Sequence, residues 1–124
     1  MNATDKPASC TLSQGNLSFS FTAVQSLIRA TLVMRTGKWY WENSVSLTGA
    51  FTPGIVDDSA NSATDYVGKS LYGYGVFYDG SKYNNNIGVA GYMTGYASGD
   101  TVGVAFDADN GKLYFSRNGV WGNK

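Results

Sequence analysis

The sequence contains no histidine. That removes the side chain most often used as a general base near neutral pH, and the commonest nitrogen ligand for metals. Cysteine is almost as scarce: Cys10 stands alone, so no intramolecular disulfide can form. Without histidine, that cysteine can join neither a Cys–His pair nor a four-ligand zinc site. Glu42 is the sole glutamate and Pro7 and Pro53 are the only prolines. Charge is thin and balanced, with 9 basic and 9 acidic residues and no basic stripe to track a phosphate backbone. No apolar run approaches the roughly 18 residues of a membrane span, and no signal-peptide pattern opens the chain. The expectations are no metal, no cofactor, no nucleic acid, no membrane insertion and no export by that route. The sequons Asn2-Ala3-Thr4 and Asn16-Leu17-Ser18 are then expected to be chance matches.

What remains is a chain of 124 residues that is 43% hydrophobic and 15% aromatic. A length near 100–150 residues is the commonest domain size, and this one is long enough to build a core without staples. Strong helix formers are few, while Gly, Ser, Thr, Asn and Tyr abound. That balance favours strands and tight turns.

Alternation supports this along the chain. Residues 1–11 read as a loose lead-in. Leu17, Phe19 and Phe21 alternate with Ser18 and Ser20, and after a break at Ala23–Ser26 the pattern returns in Ile28, Ala30, Leu32 and Met34. Both segments are expected to be strands, with Arg29, Thr31 and Arg35 on the outside or in the turn beyond. The longest alternation runs from Trp39 to Thr48: Trp39, Trp41, Val45 and Leu47 share one face, broken by Asn43, whose buried amide would need partners. Tyr72–Tyr78 is strand-like and Asp79-Gly80 signals a hairpin. Val102, Val104 and Phe106 share a face, Asp109-Asn110-Gly111 turns the chain, Leu113 and Phe115 return it, and Asn118-Gly119 turns it again. Short strands with regular turn signals and no helical stretch predict a sandwich or barrel.

Catalytic arrangements are hard to find. No Gly-x-Ser-x-Gly elbow occurs. Asp107 and Asp109 flank a turn, but Gly111 stands where a calcium loop needs an oxygen ligand, so they are expected to bond their own backbone. Asp57 and Asp58 lie in a loop, either solvated or touching a partner. The glycines at 73, 75, 88, 91 and 95 are followed by no helix, so they suit turns and close packing, not a phosphate cradle. Seven tyrosines fall within residues 65–98, too many for the core of one sandwich. Tyrosine offers large, rigid, amphipathic contact, so the cluster reads as a recognition surface.

Gly37-Lys38-Trp39-Tyr40-Trp41-Glu42 resembles the opening motif of SPRY domains. Gly54-Ile55, Tyr72-Gly73-Tyr74 with Asp79-Gly80 and Lys82-Tyr83-Asn84, then Gly99–Val104 with Asp107, and finally Leu113–Gly119 resemble the later motifs in the family's order. The likeness runs over about residues 12–121, and Lys82-Tyr83-Asn84 and Asn118-Gly119-Val120-Trp121 are most similar to SPRY domains of bacteriophage virion and prophage proteins. The resemblance implies an all-β, twisted, jelly-roll-like antiparallel sandwich over residues 12–124, without catalytic activity, whose rim loops contact a peptide or protein. Three features depart from the family: Asn43 replaces an apolar residue, Ala50–Pro53 interrupts a smooth strand, and the pattern stops at residues 120–124 before the family's last strand or two. The missing strand would be supplied by further chain or by a strand-donating partner.

The expected function is therefore protein recognition on a phage virion structural or adhesion protein, touching a virion partner or host surface. The contact residues would be Tyr66, Tyr72, Tyr78 and Tyr83, with Asp57 and Asp58 nearby, and the location the virion. The rivals are a cytoplasmic adaptor binding a short peptide and a lectin-like domain stacking sugars on exposed aromatics.

Overall fold

A computed structural model describes residues 1–22, 25–46 and 51–123. Ala23, Val24, Leu47, Thr48, Ala50 and Lys124, named in the sequence reading, lie outside the described residues. The described chain is all-β and antiparallel. Cys10–Ser13 (β1) and Ser18–Phe21 (β2) form a hairpin. Lys38–Ser44 (β3), Thr101–Asp107 (β8), Lys112–Arg117 (β9) and Val120–Trp121 (β10) make one sheet in the order β10-β9-β8-β3. Gly54–Val56 (β4), Gly73–Val76 (β5), Lys82–Asn84 (β6) and Ile87–Val89 (β7) make a second, in chain order. The core contains Val76 from the second sheet, Val102, Val104 and Phe115 from the first, and Val45, Tyr92 and Tyr96 from the connections. Val76, Val102 and Val104 are wholly buried, which at full burial stabilises by about 1.5–3 kcal/mol per side chain.

Alternation explains why these strands sit where they do. On β3 the even residues are exposed and the odd ones half-buried, as the period-two pattern requires. Trp39, Trp41 and Asn43 lie opposite Phe106, Val104 and Val102 on the inner face. Asn43 meets its need for a partner weakly, its Nδ2 donating to the Val102 carbonyl at 3.5 Å. Val45 continues the ladder past the strand, its N–H donating to Asp100 at 2.9 Å. The glycines act through space and backbone conformation. A Cβ on Gly75 would meet Thr52 and Val67 within 3 Å, and Gly80 turns the hairpin at φ 84°.

Two expectations are corrected. The Ile28–Met34 alternation is not a strand: among the described residues this stretch has no ladder partner, and Leu32 and Val33 are 58% and 60% exposed. Alternation assigns faces, but a strand also needs a neighbour bonded along its length, and among the described residues this stretch has only the single backbone bond at Arg29. Nor are residues 1–11 loose. Cys10 is 1% exposed inside β1, the Asn2 N–H donates to the Arg29 carbonyl at 2.7 Å, and Asp5 is paired with Arg29.

Candidate functional site

Five of the six candidate contact residues divide between the two ends of the second sheet. Tyr72 immediately precedes β5 and Tyr78 lies two residues beyond it, so a rise of about 3.3 Å per residue puts them up to roughly 20 Å apart. Asp57 follows β4, and its N–H donates to the Tyr72 carbonyl at 3.2 Å. The β6–β7 turn, Asn85-Asn86, arrives at the same end with φ of 52° and 58°, a conformation asparagine tolerates and two-residue hairpins use. The Tyr66 hydroxyl donates to Asn86 Oδ1. Tyr66, Tyr72, Asp57 and Asp58 therefore share one rim.

Tyr83 sits between the ends. Its ring covers Gly88, where any Cβ would collide with it, and packs tilted against Phe77 with centroids 5.2 Å apart. Phe77 in turn contacts Tyr78 at 4.6 Å. Tyr83 thus underpins the rim, and burial, then the neighbouring Tyr83, pushes the Tyr66 phenol up from its ordinary range. Tyr78 is 48% exposed at the far end, where its carbonyl accepts the Tyr96 N–H at 2.8 Å. The single tyrosine surface expected from sequence is therefore a rim with a buttress, plus one residue elsewhere.

Sequence reasoning missed the groups that hold this rim in place. Asn84 Nδ2 donates to the carbonyls of Leu71 and Gly73, both at 2.9 Å, and the Asn85 and Asn86 N–H groups donate to Ser70 and Gly68. Arg29, expected outside, is an internal clamp. Its Nε and Nη2 bind Asp5 at 2.7 and 3.1 Å, while Nη1 donates to the carbonyls of Ala60 at 2.7 Å and Asp57 at 3.3 Å. That bond to the guanidinium holds the Asp5 carboxyl below the usual carboxylate range. Asp57 Oδ1 caps its own loop by accepting the Ser59 N–H at 2.9 Å. Also missed was Leu71, 53% exposed beside Tyr72. The signal for it was a large apolar residue inside a turn-rich stretch.

The other titratable pairs are structural. Asp107 Oδ1 accepts the Asn110 N–H at 3.1 Å, while Asp109 reaches across to accept the Gly37 N–H at 2.9 Å. Arg117 Nε lies 3.0 Å from Asp100 Oδ2, close enough to pair but misaligned for a hydrogen bond. Among the described residues no cluster of three acidic or cysteine side chains is placed to hold a metal ion.

Comparison with known proteins agrees with the fold. No curated protein matches the chain. A family model, SPRY domain, matches residues 38–123, from the start of β3 to beyond β10. SPRY domains are generally protein-interaction modules and typically non-catalytic. The match spans well over half of the sequence, so the chain belongs to the SPRY domain family.

Proposed function

We propose that this SPRY domain is a non-enzymatic recognition module that grips a short segment of a partner protein at the rim formed by Asp57, Asp58, Tyr66, Leu71 and Tyr72. The supporting observation is exposed apolar surface on a pinned backbone. Leu71 and Tyr72 are 53% and 55% exposed, yet the carbonyls on either side of Tyr72 are held by Asn84. A surface already ordered loses little entropy on binding. The carboxylates give the chemistry of the partner: Asp57 and Asp58 are exposed, and the nearby Arg29 is already paired with Asp5. The matching segment carries a lysine or arginine beside an apolar residue. Selection from a random peptide library tests this. Enriched basic–apolar peptides should lose affinity about tenfold or more on Tyr72→Ala, and enrichment indifferent to Tyr72→Ala and Asp57→Asn overturns it.

The rim serves a virion structural or adhesion protein, contacting a virion partner or host surface. What supports this is the wording of Lys82-Tyr83-Asn84 and Asn118-Gly119-Val120-Trp121, which resembles that of SPRY domains in phage particles. Mass spectrometry of purified particles should recover peptides of this chain. Their recovery only from soluble host extract favours the adaptor reading.

A further inference from the structure

Three side chains in this sequence carry a carbonyl carbon next to a glycine nitrogen: Asp79, Asn110 and Asn118. A following residue without a Cβ lets its backbone nitrogen approach that carbon with little hindrance. Asparagine in this setting is chemically labile. The fold treats the three pairs differently. At Asp79-Gly80 the nitrogen is engaged. The buried Gly80 donates its N–H to the Phe77 carbonyl at 2.8 Å, and Asp79 Oδ1 accepts the Ser81 N–H at 2.8 Å. At Asn118-Gly119 the side chain is held at both ends, Oδ1 accepting the Thr101 N–H at 2.9 Å and Nδ2 donating to Asp100 Oδ1 at 2.8 Å. The Asn118 N–H also donates to the Thr101 carbonyl at 2.8 Å, so this turn is tied to β8 on three sides. Asn110-Gly111 has no such ties. Both residues are exposed, and among the described residues the Gly111 N–H meets no backbone carbonyl and Asn110 Oδ1 meets no donor. Nδ2 of Asn110 is held once, by Asp107 Oδ2 at 2.9 Å, from within the same turn.

We propose that Asn110 is a site of spontaneous deamidation in the folded protein, and that the fold protects Asn118 from the same reaction. The Gly111 nitrogen bonds to Asn110 Cγ, the Cγ–Nδ2 bond breaks, and the amide leaves as ammonia with the Gly111 proton. Water then opens the cyclic imide at either of its carbonyls, leaving aspartate or isoaspartate. Turning the side chain toward the glycine nitrogen breaks one side-chain hydrogen bond at Asn110 and two at Asn118. A net hydrogen bond is worth about fivefold in rate, so Asn110 should react about fivefold faster or more. The product remakes the turn. It loses the amide that bonds Asp107 and sets a new carboxylate beside it, and the isoaspartyl form adds a methylene to the main chain between β8 and β9. That amide is the main cause holding the Asp107 carboxyl below its ordinary range, so Asp107 should then titrate higher.

Peptide mapping by mass spectrometry tests this on the 124-residue chain aged in mildly alkaline buffer, with and without denaturant. Fragmentation that separates aspartate from isoaspartate reads the products. In the folded chain both acids should accumulate at position 110 about fivefold faster or more than at 118. In denaturant the two sites should convert at similar rates, because each is then simply asparagine before glycine. Asn110→Gln should remove the acidic products from its turn. Asp100→Ala, which frees Asn118 Nδ2, should raise conversion at 118. Equal rates in the folded chain, faster conversion at 118, or an intact Asn110 overturns the proposal. A preference for 110 that persists unchanged in denaturant also overturns it, since the fold would then protect nothing. Should Asp100→Ala not fold, the comparison with and without denaturant decides alone.

Discussion

Tyr96 donates its hydroxyl to the carbonyl of Val76 at 2.9 Å, and the Phe51 carbonyl also lies within its reach. One buried phenol therefore ties β5 to the segment that leads into β4. Tyr96→Phe leaves these carbonyls without their donor and should lower stability by about 1–3 kcal/mol, read as an earlier urea midpoint. An unchanged midpoint would mean that water takes over the bond. Burial, and then Asp79, hold this phenol far above its ordinary range. The unfolded chain ionises first, so stability should fall as pH rises above about 10. In Tyr96→Phe that alkaline decline should be shallower.

Acid should act through Asp100. Its carboxyl accepts the Ala97 N–H and Asn118 Nδ2, both at 2.8 Å, and these bonds, with Arg117, hold it below the ordinary range. A depressed folded pKa stabilises above the unfolded value near 4 and is lost as pH falls through the folded one. Asp100→Asn should therefore flatten the loss of stability below about pH 4. An acid limb superimposable on the wild type would remove Asp100 from the account. Asp5, Asp65 and Asp107 are also depressed, so only part of the limb should disappear.

The rim residues should separate binding from folding. Leu71→Ala and Tyr72→Ala remove exposed side chains, so stability should move by no more than about 0.5 kcal/mol. Binding of a selected peptide should weaken about tenfold or more. A thermal melt and a titration on the same sample check both halves, and a large loss of stability would show that these side chains pack.

Arg29→Lys should not rescue Arg29→Ala. A lysine offers one point charge where the guanidinium holds Asp5 with two N–H groups and reaches two carbonyls as well. Both variants should raise amide exchange in residues 57–60 and weaken rim binding. Protection equal to wild type in Arg29→Lys would show that charge alone suffices.

Much of this fold was legible in the sequence because alternation and turn chemistry act locally. β3, β8 and β9 lie where Trp39–Val45, Val102–Phe106 and Leu113–Phe115 alternate, and Asp79-Gly80 and Asn118-Gly119 turn as their types demand. Ile28–Met34 misled because alternation says nothing of whether a neighbouring strand exists. The rim was legible only in part. Tyr72 and Tyr78 are near in sequence, yet an intervening strand sends them to opposite ends. Conversely, Asn84 and Asn86 look like ordinary turn residues until the hairpin brings them against residues 66–73. Arg29 could not be read at all, since its side-chain partners lie 24, 28 and 31 positions away.

The Arg29 clamp also constrains how this domain can change over generations. Losing Asp5 alone strands a cation beside Asp57, and losing Arg29 alone leaves the Ala60 carbonyl without its side-chain donor. Positions 5 and 29 should therefore be inherited as a unit across relatives. A lineage that discards the pair should show compensating change in residues 57–60, so the shape of the rim is tied to an ancestry recorded in the first thirty residues of the chain.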